Sequence, residues 1–509
     1  MGIGGALSVG LMGLQAFVIQ LQAFVSPGLP CFSIIGLPDA SLAEARERVR
    51  SACVAAGFHW PDMRVTVNMS PASLPKRGSG HDLAIAASVL TANCRHPDCL
   101  ADTIVLGEVS LDGTVLPING MLPILMHARE RGLTSVIAPR LNADEAELVK
   151  GLDVMYVSHV GELIELLGAE AKTTTPNPVA TLADRAATSQ AEAAPAVGDM
   201  DEVIGQQTAK WALQVAAAGG HHLLMVGPPG TGKTMLASRL PGIMCPLTEQ
   251  EQFEVASIRS LCGTLSRYGI TDTPPFEAPH HTASVVSIAG GGTGVPEPGL
   301  VTKAHNGVLF MDEAPEFATK ALQALREPLE SGYVTVSRSK GTTFFPARFQ
   351  LVMAANPCPC GYGYGNCERC TCRERDRIRY FGRLSGPILD RIDIQVDVMP
   401  ATNVTSRRGH DGPSSARMRQ AVVEARNRAA ERFAGLPWSC NGQASGAWLR
   451  EHTPSAVLDV VDRTLASQFM SLRGADRAMR LAWTLADLAG HGEPDAEDMH
   501  RAIALRTRV

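Results

Sequence analysis

The first 38 residues carry no charged side chain, and their opening lacks the Lys or Arg that begins a secretory signal. Glutamines interrupt "QAFVIQLQAFV", and Pro27 and Pro30 follow it. The run of about 20 apolar residues that a membrane span needs is therefore missing. Buried strands suit this stretch better, and the protein is expected in the cytoplasm with no membrane partner. A global positive field is missing too: charged residues make up 19% of the chain and the net charge is −5. Nucleic acid would have to meet a local patch. In a reducing compartment, clustered cysteines suit metal binding or chemistry better than stable disulfides.

At 509 residues the chain exceeds a single core. Residues 1–168 alternate strand-like runs ("VTVNM", "TIVLGEVSL", "SVIAP") with helical ones ("SLAEARERVRSACVAAG", "HDLAIAASVLTA") and form an α+β module. Residues 169–200 are poor in aromatics and rich in Ala, Thr and Pro, the composition of a flexible linker. Residues 201–400 alternate β and α again, and 401–509 are strongly helical. The fold class expected is α/β and multidomain.

The most informative motif is "HHLLMVGPPGTGKTMLASRL". A strand at 223–226 enters Gly227, Pro228, Pro229, Gly230, Thr231, Gly232, Lys233 and Thr234, and a helix follows. Glycines let backbone N–H groups curl around phosphates at a helix N-terminus, where Lys233 reaches the β/γ-phosphates and Thr234 a Mg²⁺ ion. "GVLFMDEAPEF" supplies a buried strand ending in Asp312, suited to the Mg²⁺ shell, and Glu313, suited to polarise the attacking water. "FQLVMAANPCPCG" ends a further strand at Asn356, an amide able to orient that water. "SGPILDRIDIQV" sets Arg391 between two aspartates before another strand.

Directly after Asn356 comes "PCPCGYGYGNCERCTC", with five of the chain's twelve cysteines. Cys358 with Cys360, and Cys370 with Cys372, are close pairs that together can surround one tetrahedral Zn²⁺, although C-x-C is tighter than the usual spacing. "CERC", from Cys367 to Cys370, is the conventional knuckle and the rival ligand set; free thiols are the other alternative. A structural clip within 358–372 would help hold Asn356 in place.

The order of phosphate loop, "LFMDE", strand-end Asn and "LDRID" resembles the AAA+ ATPases. The phrases "GLPDASLAEARERVRSA", "APHHTASVVSIAGGG", "PGLVTKAHNGVLFMDEAPEF", "NPCPCG" and "SGPILDRID" resemble the magnesium-chelatase-like YifB/ComM group over nearly the whole chain. The resemblance implies a Mg²⁺-dependent ATPase working as a hexameric ring, with an AAA+ P-loop domain and a helical C-terminal lid. It implies that Arg391 acts in trans as an arginine finger. It also implies a sensor arginine in "SLRGADR", assigned to Arg473 with Arg477 as rival. It favours the two outer cysteine pairs over Cys367. The ComM-like branch implies a motor on branched DNA in recombination, with a helicase role; a protein remodeller and a chelatase-type motor driving a partner subunit are the alternatives.

The N-terminal segments "NMSPASLPKRGSGHDLAIAASVLTA" and "IVLGEVSLDGTVLPINGMLPILMHARERG" resemble the Lon-protease-like (S5-like) proteolytic domain. Aligned on those phrases, the Ser of the Lon dyad falls on Gly80 and the Lys on Leu122. Ser79 lies one residue away, but a serine without a nearby base is a poor nucleophile. A scaffold without peptidase activity is expected. Finally, "YVTVS" and "TTFF" flank "RSKG" as a hairpin with a turn near Lys340 and Gly341. The resemblance implies a tip directed into the ring pore, offering Arg338 and Lys340 to DNA.

Overall fold

The computed structural model describes residues 2–36, 39–72, 78–94, 96–172, 197–292, 296–338, 341–364, 369–384, 386–400 and 412–506. The uncharged N-terminal stretch becomes three strands, β1 (Gly2–Met12), β2 (Gln15–Ser26) and β3 (Cys31–Ile35). In β2 the alternation is literal: Ile19, Leu21, Ala23 and Val25 are buried, while Gln20, Gln22 and Phe24 face outward. A side-chain period of two sends alternate residues to opposite faces of a sheet. No helix among the described residues is long and apolar enough to cross a membrane.

Helix α1 (Asp39–Ala55), β4 (Arg64–Ser70), α2 (Asp82–Ala92), β5 (Ile104–Val105), α3 (Met121–Glu130), β6 (Ser135–Pro139) and β7 (Asp153–Val157) complete the module. Its mixed sheet has the order β3-β4-β2-β1-β5-β6-β7. All eleven residues of α2 are buried, because the helix lies across β1 and β2 with α1 on its other side. On the other face of the sheet, α3 contributes Met121, Leu122, Ile124 and Leu125 to a core that also takes Ala256 and Leu265 from the next module. The two modules thus share a hydrophobic cluster. Most of the expected linker lies outside the described residues, but its ends are held. Lys172 N donates to Ala56 O, and Met200 is fully buried.

The second module contains α4 (Gln207–Gly219), β8 (Leu223–Val226), α5 (Lys233–Ser238), α6 (Glu249–Leu261), β9 (Phe276–Glu277), β10 (Gly307–Met311), β11 (Tyr333–Arg338), β12 (Gly341–Pro346), β13 (Phe349–Ala355), α7 (Glu374–Gly382) and β14 (Ile394–Asp397). Its sheet is parallel throughout, in the order β9-β10-β13-β8-β14. β8, β10 and β13 are buried at every position, the continuous apolar run expected of a parallel sheet covered on both faces. β11 and β12 form the hairpin, with Arg338 paired to Gly341. Lys340 and the Arg338 side chain lie outside the described residues. The C-terminal module is helical, chiefly α8 (Ser415–Arg432), α9 (Leu472–Ala489) and α10 (Ala496–Arg506). It shares one core with α4 and the face of the sheet beneath it.

Candidate active site

Strand register assembles the site. Val226 pairs with Ala355 and Met311 with Met353, so the residues that follow β8, β10 and β13 emerge at one edge of the sheet. Those residues are the phosphate loop, Asp312 with Glu313, and Asn356. The edge is the carboxyl end of the strands, where open α/β sheets bind ligands.

The loop can turn there only because of its glycines. A Cβ on Gly227 would sit 2.0 Å from the Val398 carbonyl oxygen, and Gly230 and Gly232 hold left-handed φ of 78° and 88°. The Lys233 ammonium contacts Gly227 O at 2.6 Å, Pro228 O at 2.9 Å and the Asn356 Oδ1 at 3.3 Å. Burial pulls its pKa down, and Asp312 and Glu313 oppose that shift. The Thr234 hydroxyl donates to the Asp312 Oδ2 at 2.7 Å, which brings a hydroxyl and a carboxylate within reach of one Mg²⁺.

Glu313 adopts φ 50°, a left-handed conformation uncommon for this residue, and its N–H donates to the Asp312 Oδ1 at 2.9 Å. Its carboxylate meets His281 Nδ1 at 3.3 Å. Sequence reasoning missed His281, although register points to it. Glu277 pairs with Leu309 in parallel strands, so four residues further along each chain His281 comes level with Glu313.

The sulfurs of Cys358, Cys360, Cys370 and Cys372 all lie within 4.8 Å of one another. Cys358 and Cys360 each stand 3.7 Å from Cys370, and 3.3 Å from one another. A tetrahedron with Zn–S bonds of about 2.3 Å has edges of about 3.8 Å, so the set fits Zn²⁺. The Gly363 N–H donates to the Cys358 sulfur at 3.1 Å, and the Tyr362 N–H helps bring the Cys360 thiol down to about 6. The rival knuckle uses Cys367, which lies outside the described residues. This loop touches the candidate site twice. A Cβ on Gly361, with φ 82°, would meet Pro229 of the phosphate loop at 2.7 Å. Tyr380 in α7, its phenol pushed up to about 12 by burial, meets the backbone of Asn356.

Arg391 stands elsewhere. Leu223 pairs with Ile394 and Val226 with Asp397, so Arg391 precedes the amino end of the sheet while the phosphate loop leaves the carboxyl end. At roughly 3.3 Å per residue the two are separated by on the order of 15 Å. Arg391 is 5% exposed and ion-paired with Glu330. Its guanidinium shares this end with Arg326, Arg473 and Arg477. Arg473 is exposed, 3.9 Å from Asp390, whereas Arg477 is tied to Asp393 and to the Arg391 carbonyl at 2.9 Å. Burial pushes the Asp393 carboxyl up, but Arg477 and His221 outweigh it and hold the group well below the usual carboxylate range. His221 spans from Asp393 to Thr484 of α9, at 3.2 and 2.8 Å. The sequence reading of Arg391 did not anticipate this buried brace between sheet and lid.

Three family models cover most of the chain. "Subunit ChlI of Mg-chelatase" matches residues 21–142, "Magnesium chelatase, subunit ChlI" residues 199–406, and "Magnesium chelatase, subunit ChlI C-terminal" residues 412–506. Competence protein ComM of Haemophilus influenzae is 37% identical over 501 residues, 98% of this chain and 96% of that one. The uncharacterized protein YifB of Escherichia coli is 36% identical over 499 residues, 97% and 95% of the two chains. The chain belongs to the YifB/ComM family of magnesium-chelatase-like AAA+ ATPases. Lon protease 1 of Thermus thermophilus is 33% identical over 178 residues, 32% of this chain. Family membership implies ATP and Mg²⁺ as ligands.

Proposed function

We propose that this YifB/ComM-family chain is the subunit of a hexameric ring that hydrolyses ATP to move DNA in the cytoplasm, in branch migration or helicase work. What supports the ring is the division along β8. Lys233, Thr234, Asp312, Glu313 and Asn356 gather at one end, and Arg391 with Arg473 at the other. Each end is half of a site that a neighbouring copy completes.

In this reading the amides of 227–234 and the Lys233 ammonium bind the β- and γ-phosphates, while Thr234 and Asp312 hold Mg²⁺. The ion, when bound, shields phosphate charge. Glu313 takes the proton of the attacking water, and Asn356 orients that water. Arg391 of the next subunit meets charge developing on the γ-phosphate, with Arg473 as the lid sensor. Arg477 instead braces Asp393. Cys358, Cys360, Cys370 and Cys372 hold a structural Zn²⁺ that keeps the 358–372 loop against Pro229 and Asn356. The N-terminal module serves as a scaffold without peptidase activity. The β11–β12 hairpin, through Arg338 and Lys340, faces the pore.

DNA as the substrate rests on the likeness to a competence protein. The test is ATP turnover against protein concentration, with and without forked, single-stranded and four-way DNA. Turnover per subunit should climb as rings form and climb again with DNA. Stimulation by none of these DNAs would favour a protein remodeller or a chelatase-type motor.

A further inference from the structure

Helix α7 follows the cysteine cluster and turns two different faces to its surroundings. Residues 369–383 carry six arginines against two acids, in a chain whose net charge is −5. The inner face is fixed: Tyr380 is buried against the Asn356 backbone, and Leu384 just beyond the helix is fully buried. A helix advances about 100° per residue, which groups Arg375, Ile378, Arg379 and Gly382 on the opposite face. All four are exposed, Ile378 to 67%. A Cβ on Gly382 would meet nothing within 4 Å. Among the described residues neither Arg375 nor Arg379 has an ion-pair partner, although Glu374 and Asp376 flank Arg375 and Asp376 lies one helical turn before Arg379. Like charges one helical turn apart destabilise a helix, so this face carries a cost in the isolated chain.

We infer that the outer face of α7, formed by Arg375, Ile378 and Arg379, docks the phosphate backbone of single-stranded nucleic acid. This rests on the DNA reading above and assigns it a surface. Guanidinium groups present planar forks that match phosphate oxygens. The isolated Ile378 between them offers an apolar contact to a sugar or base, yet is too small an apolar surface for a protein interface. The opposite face of the same helix rests on Asn356, and its N-terminal approach rests on the cysteine cluster. A strand docked on α7 therefore lies one helix diameter from the residue that orients the attacking water, which gives it a short route to ATP turnover.

The test uses the full chain carrying Arg375→Ala and Arg379→Ala together, with Arg375→Lys/Arg379→Lys as the charge-preserving control. Affinity for a labelled single-stranded oligonucleotide is measured over a range of salt concentrations. Basal turnover, stimulated turnover and ring assembly by sedimentation are measured beside it. Each phosphate contact on a single strand contributes about 0.7 to the slope of log affinity against log salt, so the alanine pair should flatten the slope by about 1.4. Affinity at low salt should fall at least about tenfold, and stimulation should fall with it. Basal turnover and ring assembly should stay unchanged, and the lysine pair should recover most of the slope. An alanine pair with the affinity and slope of the parent overturns the assignment. So does loss of ring assembly, which would make the face a contact between copies. A parent chain that binds no nucleic acid removes the DNA reading itself, whereas a binding parent with an indifferent variant removes only the role of α7.

Discussion

Two of the glycine-bearing turns that lead into helices offer very different side chains. In the ATPase module Gly230 and Gly232 take left-handed φ and α5 begins at Lys233, whose ammonium reaches Asn356. In the N-terminal module Gly78 takes φ 75° and a short turn at Ser79–His81 precedes α2. At the positions that the resemblance to Lon-type proteases aligns with Ser and Lys, this module has Gly80 and Leu122. Gly80 leaves space that a Cβ would fill to within 3.3 Å of Ile118. Leu122 is fully buried in the core shared with α6. His81, the nearest imidazole in sequence, has its Nδ1 2.9 Å from the buried Ser8 hydroxyl. A reactive site needs particular side chains at the turn, whereas Leu122 lies in a joint between two modules.

The sharpest way to break the comparison is to disarm the site that works. Arg391→Ala should abolish hydrolysis, yet regain part of it in rings mixed with Glu313→Gln subunits, because in the proposed ring each variant spoils a different half of a shared site. Mixtures that stay silent at every ratio would sink the trans assignment. Glu313→Gln alone should bind ATP and turn over at least about 10²-fold more slowly, the scale of general-base assistance. Normal turnover in that variant would mean that the water is activated elsewhere.

The cysteine cluster gives a smaller, structural effect. Elemental analysis of purified protein should find close to one Zn²⁺ per chain, and replacing Cys358 and Cys370 together should abolish it. ATP turnover should drop with the metal, because Gly361 leans on Pro229 and Tyr380 on Asn356. A metal-free preparation of full activity would remove the clip.

What the sequence disclosed follows from how local each signal is. The phosphate loop, the acids after β10 and Asn356 announce themselves because a buried strand followed by a polar residue is readable within about ten positions. The glutamine alternation of β2 was legible for the same reason. His281, Glu330 and the Asp393 brace were not, because their meaning depends on strand register and on a lid helix nearly a hundred residues away. The outer face of α7 lay between these cases: its arginines are plain in sequence, but that Arg375 and Arg379 have no ion-pair partner among the described residues is a fact of packing. Leu122 could be seen to be unsuited to proteolysis, while its new neighbour, Ser260, lies 138 residues away.

That neighbour supports the smallest prediction, which tests whether the joint between the two modules rests on polar contacts. The buried Ser260 hydroxyl donates to the Glu145 Oε2 at 2.6 Å and accepts from the Leu122 N–H at 3.2 Å, while the Ser260 carbonyl accepts from the Gly120 N–H at 3.0 Å. Ser260→Ala removes the hydroxyl and should cost about 1–3 kcal/mol, the range for leaving a buried polar group poorly satisfied. Burial holds the Glu145 pKa above its ordinary value, and the Ser260 and Leu122 contacts oppose that shift. A carboxyl raised in this way contributes stability below its unfolded pKa and loses it as pH rises through the folded value. Without Ser260 the ionised form loses a donor and the pKa rises further. The penalty should therefore be small near about pH 4, where Glu145 is protonated, and larger near about pH 8. Hydrogen exchange of residues 118–125 in parent and variant at both pH values measures this locally, without requiring the whole chain to unfold in one step. Faster exchange in the variant at the higher pH alone would tie the joint to Glu145. An equal increase at both would leave Ser260 as a neutral packing contact, and the shared apolar core would then hold the modules together unaided.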